Sequence, residues 1–515
     1  MGPPGAEWDE VVAALDAAGC DEELVTRAEP LAARWPAGMR RTPRPWLDAI
    51  LAGDSAPQLA LCDSLWQMYT EFGPERARAL AQSPAARNLT HLDLVHSRIG
   101  EEGARALLTS PHLPPPRRLR LSRNAVGELA VEELCGRPER YAGLSELELE
   151  STRLSDEAAV RLLAAEHLSG LRWLSLGKNR HSDAVVHALV SAEHLSQLER
   201  LHLHENPISD RAARALASCP RLAGLRELWL NSTDVNDAGG RALAESPHLG
   251  GVERLKLNHC DMRSPGVTAV LSAFPRLREV TIDALQGGAP AVAALSARPP
   301  GLRKLSMWRS EVKGDDLARF VSSPGAAELR EWKLSGITRT LSLAEALATA
   351  TCTQLEVLQL HSCGVGARVA QALADAPALA RLRELDLWSN APSAGIVMIF
   401  ASPHLAGLRK LKLSGCSLGP SGGAAFAASR LEHLEELDLN SCRQPPEAFS
   451  SLVANPAFAR LRSITLHGNH VDDRTLALLS ESLPALEQVF ASQGRFSAAA
   501  IEAAQAARPG LRVWA

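Results

Sequence analysis

Apolar residues recur along the chain in the frame L-x-x-L-x-L. With conservative swaps the frame begins at Leu89, Pro116, Leu144, Leu171, Leu198, Leu225, Val252 and at nine further positions ending with Leu486. Successive starts lie 25 to 28 residues apart, and a truncated copy, LRVWA, begins at Leu511. In LRELDLWSN (Leu382 to Asn390) the apolar positions alternate, the two-residue period of a β-strand. The second half of each copy, as in ISDRAARALASCPRL (Ile208 to Leu222), carries Ala and Leu at helical spacing. It opens with Ser or Asp, suited to an N-cap, and commonly ends in Ser-Pro or Cys-Pro. One strand and one helix cannot bury their own apolar faces, but stacked copies can.

From about residue 73 to 515 the chain resembles a leucine-rich repeat protein, nearest the ribonuclease-inhibitor-like subfamily of bacterial type, with a true helix in every repeat. The resemblance implies an α/β solenoid, a horseshoe with parallel strands on the concave face and helices on the convex face. About 16 full repeats and a truncated last one are expected. In this family the ninth frame position is normally Asn. Here it is held by Ser97, Asn124, Thr152, Asn179, Asn206, Thr233, Cys260, Leu285, Ser310, Ile337, Cys363, Asn390, Cys416, Cys442, Asn469 and Gly494. Cysteine acts as a small apolar residue with a weak donor. Cys416 and Cys442 therefore read as spine residues rather than a disulfide or metal ligands.

Residues 1–72 lack the frame and read as a helical N-terminal cap. EWDEVVAALDAA and DEELVTRAEPLAARW are short amphipathic helices. The stretch from Trp46 to Leu65 resembles the small repeat-companion domain of bacterial leucine-rich repeat proteins. That likeness rests on Ala49 to Ala52, Asp54, Ala56, Pro57, Leu59, Asp63 and Leu65, whereas Ser64 stands where the family has Trp. GPERARALAQSP (Gly73 to Pro84) is already a repeat-type helix. The truncated last copy leaves a terminal strand edge that Trp514 is placed to plug. A monomer is expected, with tail-to-tail pairing of two chains as the alternative.

Frame positions 3, 5 and 7 point away from the core. From the fifth copy, position 3 reads Arg200, Glu227, Arg254, Glu279, Lys304, Glu331, Val357, Glu384, Lys410, Glu436. In a parallel sheet such alternating signs neutralise one another laterally. Arg118 with Glu146 and Arg120 with Glu148 repeat the device. On the same face stand Trp173 (position 3), Trp229 (position 5) and Trp308 and Trp388 (position 7), joined by His202, His204, His259 and His361. Aromatic side chains are frequent interface anchors, so these eight are the candidate partner-binding residues. Trp332, at position 4, belongs to the core.

Of the 515 residues 46% are apolar, the net charge is −4, and the nine cysteines are spread along the chain. Near-neutral charge gives no reason to expect nucleic acid or membrane as partner. The start lacks a secretory pattern, and the odd cysteine count suits a reducing compartment, so a cytoplasmic location is expected. No phosphate loop, metalloprotease or hydrolase motif occurs, so neither catalysis, cofactor nor metal is expected. The reading is a non-enzymatic scaffold that binds a protein on its concave face. The alternative is a regulator that occludes an enzyme's active site, as the ribonuclease-inhibitor resemblance permits.

Overall fold

The computed structural model describes residues 4–18, 21–36, 38–54, 56–283, 288–308, 312–492 and 495–514. Leu285, Ser310 and Gly494 of the spine, and the first three residues of LQGGAPAV, lie outside this set. The chain forms two compact units, Met1–Val252 and Glu253–Ala515.

The first unit opens with helices Pro4–Ala18, Glu22–Ala32 and Arg44–Ala52. Asp21 caps the second, its carboxylate accepting from the Leu24 N–H at 2.8 Å. Two indoles fix these helices. Buried Trp8 donates from Nε1 to the Arg41 carbonyl at 2.8 Å, and Trp46 donates to Asp16 at 2.7 Å. Seven strands follow: β1 (Ser64–Trp66), β2 (His91–Asp93), β3 (Arg118–Arg120), β4 (Glu146–Glu148), β5 (Trp173–Ser175), β6 (Arg200–His202) and β7 (Glu227–Trp229). Each pairs in parallel with the next, without slippage, as in Leu119↔Leu147 and Leu201↔Leu228. β1 lies inside the segment read as cap, yet Ser64 pairs with His91 and Leu65 is buried as Leu92 is.

The second unit repeats the plan with β8 (Arg254–Lys256), β9 (Glu279–Asp283), β10 (Lys304–Trp308), β11 (Glu331–Ser335), β12 (Val357–His361), β13 (Glu384–Asp386), β14 (Lys410–Lys412), β15 (Glu436–Asp438), β16 (Ser463–Thr465), β17 (Gln488–Phe490) and β18 (Arg512–Trp514). These too are parallel and paired in chain order. Frame positions 1, 4 and 6 fill the core. Leu408, Leu411 and Leu413 are fully buried, each such leucine worth about 2 kcal/mol of transfer free energy. Trp332 is also fully buried, edge-on to Phe320, in the place its frame position demands.

The Ser and Asp residues that open the helices work as pairs between neighbouring repeats. Ser182, Ser209 and Ser497 each cap their own helix with the hydroxyl oxygen. Their N–H and O–H groups donate back to Asp156, Asp183 and Asp473 of the preceding repeat. Helix ends are tied in the same way, Ser110, Ser246 and Ser402 donating to carbonyls at the end of the previous helix. Among the described residues no helix is long and apolar enough to cross a membrane.

Candidate functional site

Among the described residues position 9 places a side-chain donor under most strands, Ile337 being the apolar exception. Asn206 is 2% exposed; its Nδ2 donates to the Leu176 and Leu203 carbonyls at 3.1 and 2.9 Å, and its Oδ1 accepts from the N–H groups of Asn179 and His181. Asn390 makes the same four contacts in the second unit. Cys416 and Cys442 each reach the corresponding carbonyl of the preceding repeat, their thiols 3.0 Å from Leu387 and Leu413 oxygen. Burial pushes the Cys416 and Cys363 thiols up to about 11, and Cys442 higher still. These cysteines keep the donor to the preceding repeat and offer only a weak sulfur acceptor in place of the amide oxygen.

The outward-facing charges pair as their frame positions suggest. Lys304 lies 3.6 Å from Glu279 and 3.7 Å from Glu331, and Lys410 lies 2.7 Å from Glu436. Arg118 meets Glu146, and Arg120 meets both Glu148 and Asp93. Trp173 interrupts the column, and Arg200 reaches across it to Glu146 at 2.9 Å. That crossing lays the Arg200 guanidinium 4.3 Å from the Trp173 ring centre, with Arg120 at 5.1 Å.

In the first unit four of the candidate residues meet. The His202 ring stacks on Trp229, centroids 3.7 Å apart and planes 3° from parallel, and stands edge-on to Trp173 at 5.7 Å. His204 meets Trp229 edge-on at 5.7 Å. Both histidines are almost fully buried, at 3% and 5% exposure. His202 Nε2 lies 2.9 Å from Glu227 Oε1; a carboxylate only accepts, so the ring carries its proton there. Glu150 sits beneath both rings, 3.6 Å from His204 Nε2 and 3.8 Å from His202 Nδ1. At these distances both are electrostatic contacts rather than hydrogen bonds.

Burial alone would raise the Glu150 carboxyl. The His202 ring, the charge His204 takes on in acid and the Ser175 hydroxyl outweigh it and hold the group down to about 2. Burial, foremost, holds His204 below its ordinary range, so at neutral pH its ring is uncharged. The charge it lends Glu150 exists only at acid pH. Space for the His204 ring comes from Gly177, where a Cβ would sit 2.4 Å from ring Cε1. Neither Glu150 nor Gly177 drew notice in the sequence, though both hold position 7 in the repeats just before His204.

In the second unit the His361 ring stands edge-on between two indoles, 5.5 Å from Trp308 and 5.6 Å from Trp388. On the intervening strand the position-7 residue is Ser335, which pairs with His361 and is small enough for the rings to meet across it. Asp386, buried at 6%, steadies the group. It accepts from the Trp388 N–H at 3.0 Å, and its other oxygen lies 3.0 Å from His361 Nε2. The latter is a charge-distance contact, because the ring nitrogen is not aligned for a hydrogen bond. Trp388 remains 48% exposed. His259 is an exposed turn residue with φ of +57°, following β8 rather than lying in it. Trp514 stacks on Phe490 at 4.3 Å and is 42% exposed on the last described strand.

Parallel strands in chain order, helices returning between them, and a spine of buried position-9 donors under most described turns decide the architecture. The fold is a leucine-rich repeat solenoid. A family model described as "Leucine Rich repeat" matches residues 85–108 and 407–427 of this solenoid. No curated protein sequence matches the chain. Among solved structures, an internalin from Listeria monocytogenes shares 17% identity, covering 63% of this chain and 82% of that one, with a TM-score of 0.41. The Rad7–Elc1 complex in yeast matches at 15% identity over 76% of this chain and 87% of that one, TM-score 0.42. A TLR13–ssRNA13 complex matches at 16% over 88% of this chain and 62% of that one, TM-score 0.47.

Proposed function

We propose that this solenoid is a non-enzymatic scaffold that binds a protein partner on the sheet face of its second unit, with Trp388 as the anchor. The observation that carries the reading is an indole nearly half exposed on a strand face yet held by its own backbone bond to Asp386 and by the His361 ring edge. Such an anchor is already ordered, which lowers the entropy cost of association. Around it the charges of β10 to β14 are paired with one another, as between Lys412 and Glu384 at 2.8 Å, giving a polar rim about an apolar centre. Trp308 and His361 shape that centre. In the first unit Trp173, Trp229, His202 and His204 serve the face as a preformed platform, and His259 adds an exposed contact. The spine thiols donate hydrogen bonds only while reduced, which suits a cytoplasmic setting.

The test is affinity capture from the native lysate with wild type, Trp308→Ala/Trp388→Ala and Trp514→Ala, folding being checked by circular dichroism. Proteins held by wild type and by the Trp514 variant, and lost from the folded double variant, support the reading. The same proteins on all three baits sink it.

A further inference from the structure

In the turns that leave the strands, frame position 8 carries positive φ in most repeats and position 10 in a few. In the second unit they are largely small: Ser362, Gly364, Ser389, Gly415, Ser441 and Gly468. Glycine adopts this backbone freely, and most other L-residues do so only under strain. In the first unit the same positions hold Ser151, Glu205 and Ser232 but also a run of long cations. Arg123, Arg153, Lys178 and Arg180 have φ of +58°, +61°, +58° and +66°. Bulky cations held at such positions in neighbouring repeats concentrate positive charge in one place.

These four side chains line one open cavity of about 810 Å³ together with His96 and Ser151, and no carboxylate lines it. Lys178 is balanced by Glu205 at 2.7 Å. Arg123 lies against the exposed ring of Tyr69 at 5.8 Å. Arg153 and Arg180 are exposed and make no ion pair among the described residues. Glu150, next in sequence to the lining residue Ser151, is turned to the His202 and His204 rings. Two nearby arginines outside the cavity are matched, Arg98 by Glu71 and Arg172 by Glu199.

We infer that this cavity is an anion site for a compact ligand bearing two or more phosphate groups. Guanidinium groups present paired N–H donors that match phosphate oxygens, and several converging from different repeats select for more than one phosphate. The site is separate from the aromatic face and does not depend on the partner proposed for it.

The experiment is calorimetric titration of the full chain with inorganic tripolyphosphate at two salt concentrations. Wild type should bind one equivalent, more weakly at the higher salt. Arg153→Asn/Arg180→Asn removes two charges while asparagine tolerates the left-handed backbone, so the fold is kept. It should weaken binding at least 10-fold. Arg443→Asn, at another left-handed position outside the cavity, should leave binding unchanged. If the double variant loses its circular dichroism, Arg180→Asn alone makes the same comparison. Competition by a nucleoside triphosphate and by a doubly phosphorylated peptide identifies the natural source, whichever displaces the probe at lower concentration. The assignment is overturned by the lack of saturable binding, by equal affinity in the cavity variants, by equal weakening in Arg443→Asn, or by displacement with neither competitor.

Discussion

The two units put the same residue types on the same frame positions and obtain opposite results. In the first, His202 and His204 are sealed between indoles and two glutamates, and the cluster satisfies itself. In the second, one histidine serves two indoles and one aspartate, and an indole is left facing solvent. The difference follows from the neighbours. Glu150 and Gly177, at position 7 of the repeats before His204, provide a charge to bury against and a hole to fill, whereas Ser335 before His361 provides only room. Aromatic residues on an outward sheet face thus become anchor or filler according to the side chains beside them. Spines differ too, amide-rich in the first unit and thiol-rich in the second.

The comparison breaks most sharply at the spine. Asn206→Ala removes two donors and two acceptor contacts from buried backbone groups and should cost about 3 kcal/mol, seen as a lower urea midpoint for the first unit. Acid should come next. His91, His181, His194 and His204 all belong to the first unit, and burial holds each below the ordinary 6.5. The unfolded chain therefore takes up protons first as pH falls below about 6.5, and stability is lost. Glu150 adds to this from about 4.5 downward, since its folded value near 2 lies below the ordinary 4.5. Hydrogen exchange at pH 7 and pH 5 should show the first unit losing protection, and Glu150→Gln should flatten the steeper loss below pH 4.5. Equal protection of the first unit at both pH values would contradict this.

Smaller effects sharpen the contrast. Cys416→Ala removes one thiol bond and should cost about 1 kcal/mol, well under the asparagine loss. If the two costs prove equal, thiol and amide are the same kind of strut and the spine distinction fails. Trp388→Ala should change thermal stability least, by about 0.5 kcal/mol, as for an exposed surface position, while abolishing partner capture. A large drop in melting temperature would make Trp388 a packing residue like Trp229.

Much of this architecture was legible in the residues. The strand–helix period, the buried position-4 Trp332, the helix-opening serines and the thiols standing in for asparagine all followed from a repeated frame. β1 escaped because its sixth position is the polar Gln67, which broke the pattern although Leu65 is packed normally. The buried histidine network escaped because its members come from successive repeats. Frame position shows which face a residue takes, and the rotamers of Arg200 or His204 depend on gaps left two strands away. The basic cavity escaped for a related reason: positions 8 and 10 draw attention only once their backbone is known to be left-handed.

The sulfur spine also gives the molecule an internal clock. At neutral pH Cys363, Cys416 and Cys442 hold almost no thiolate and are sealed from solvent, so an alkylating reagent can reach them only when a repeat parts from its neighbour. Each cysteine would then record how often its own junction opens. Labelling rates along the array would rank the second unit's turns by how readily they come apart, with no probe added to the chain.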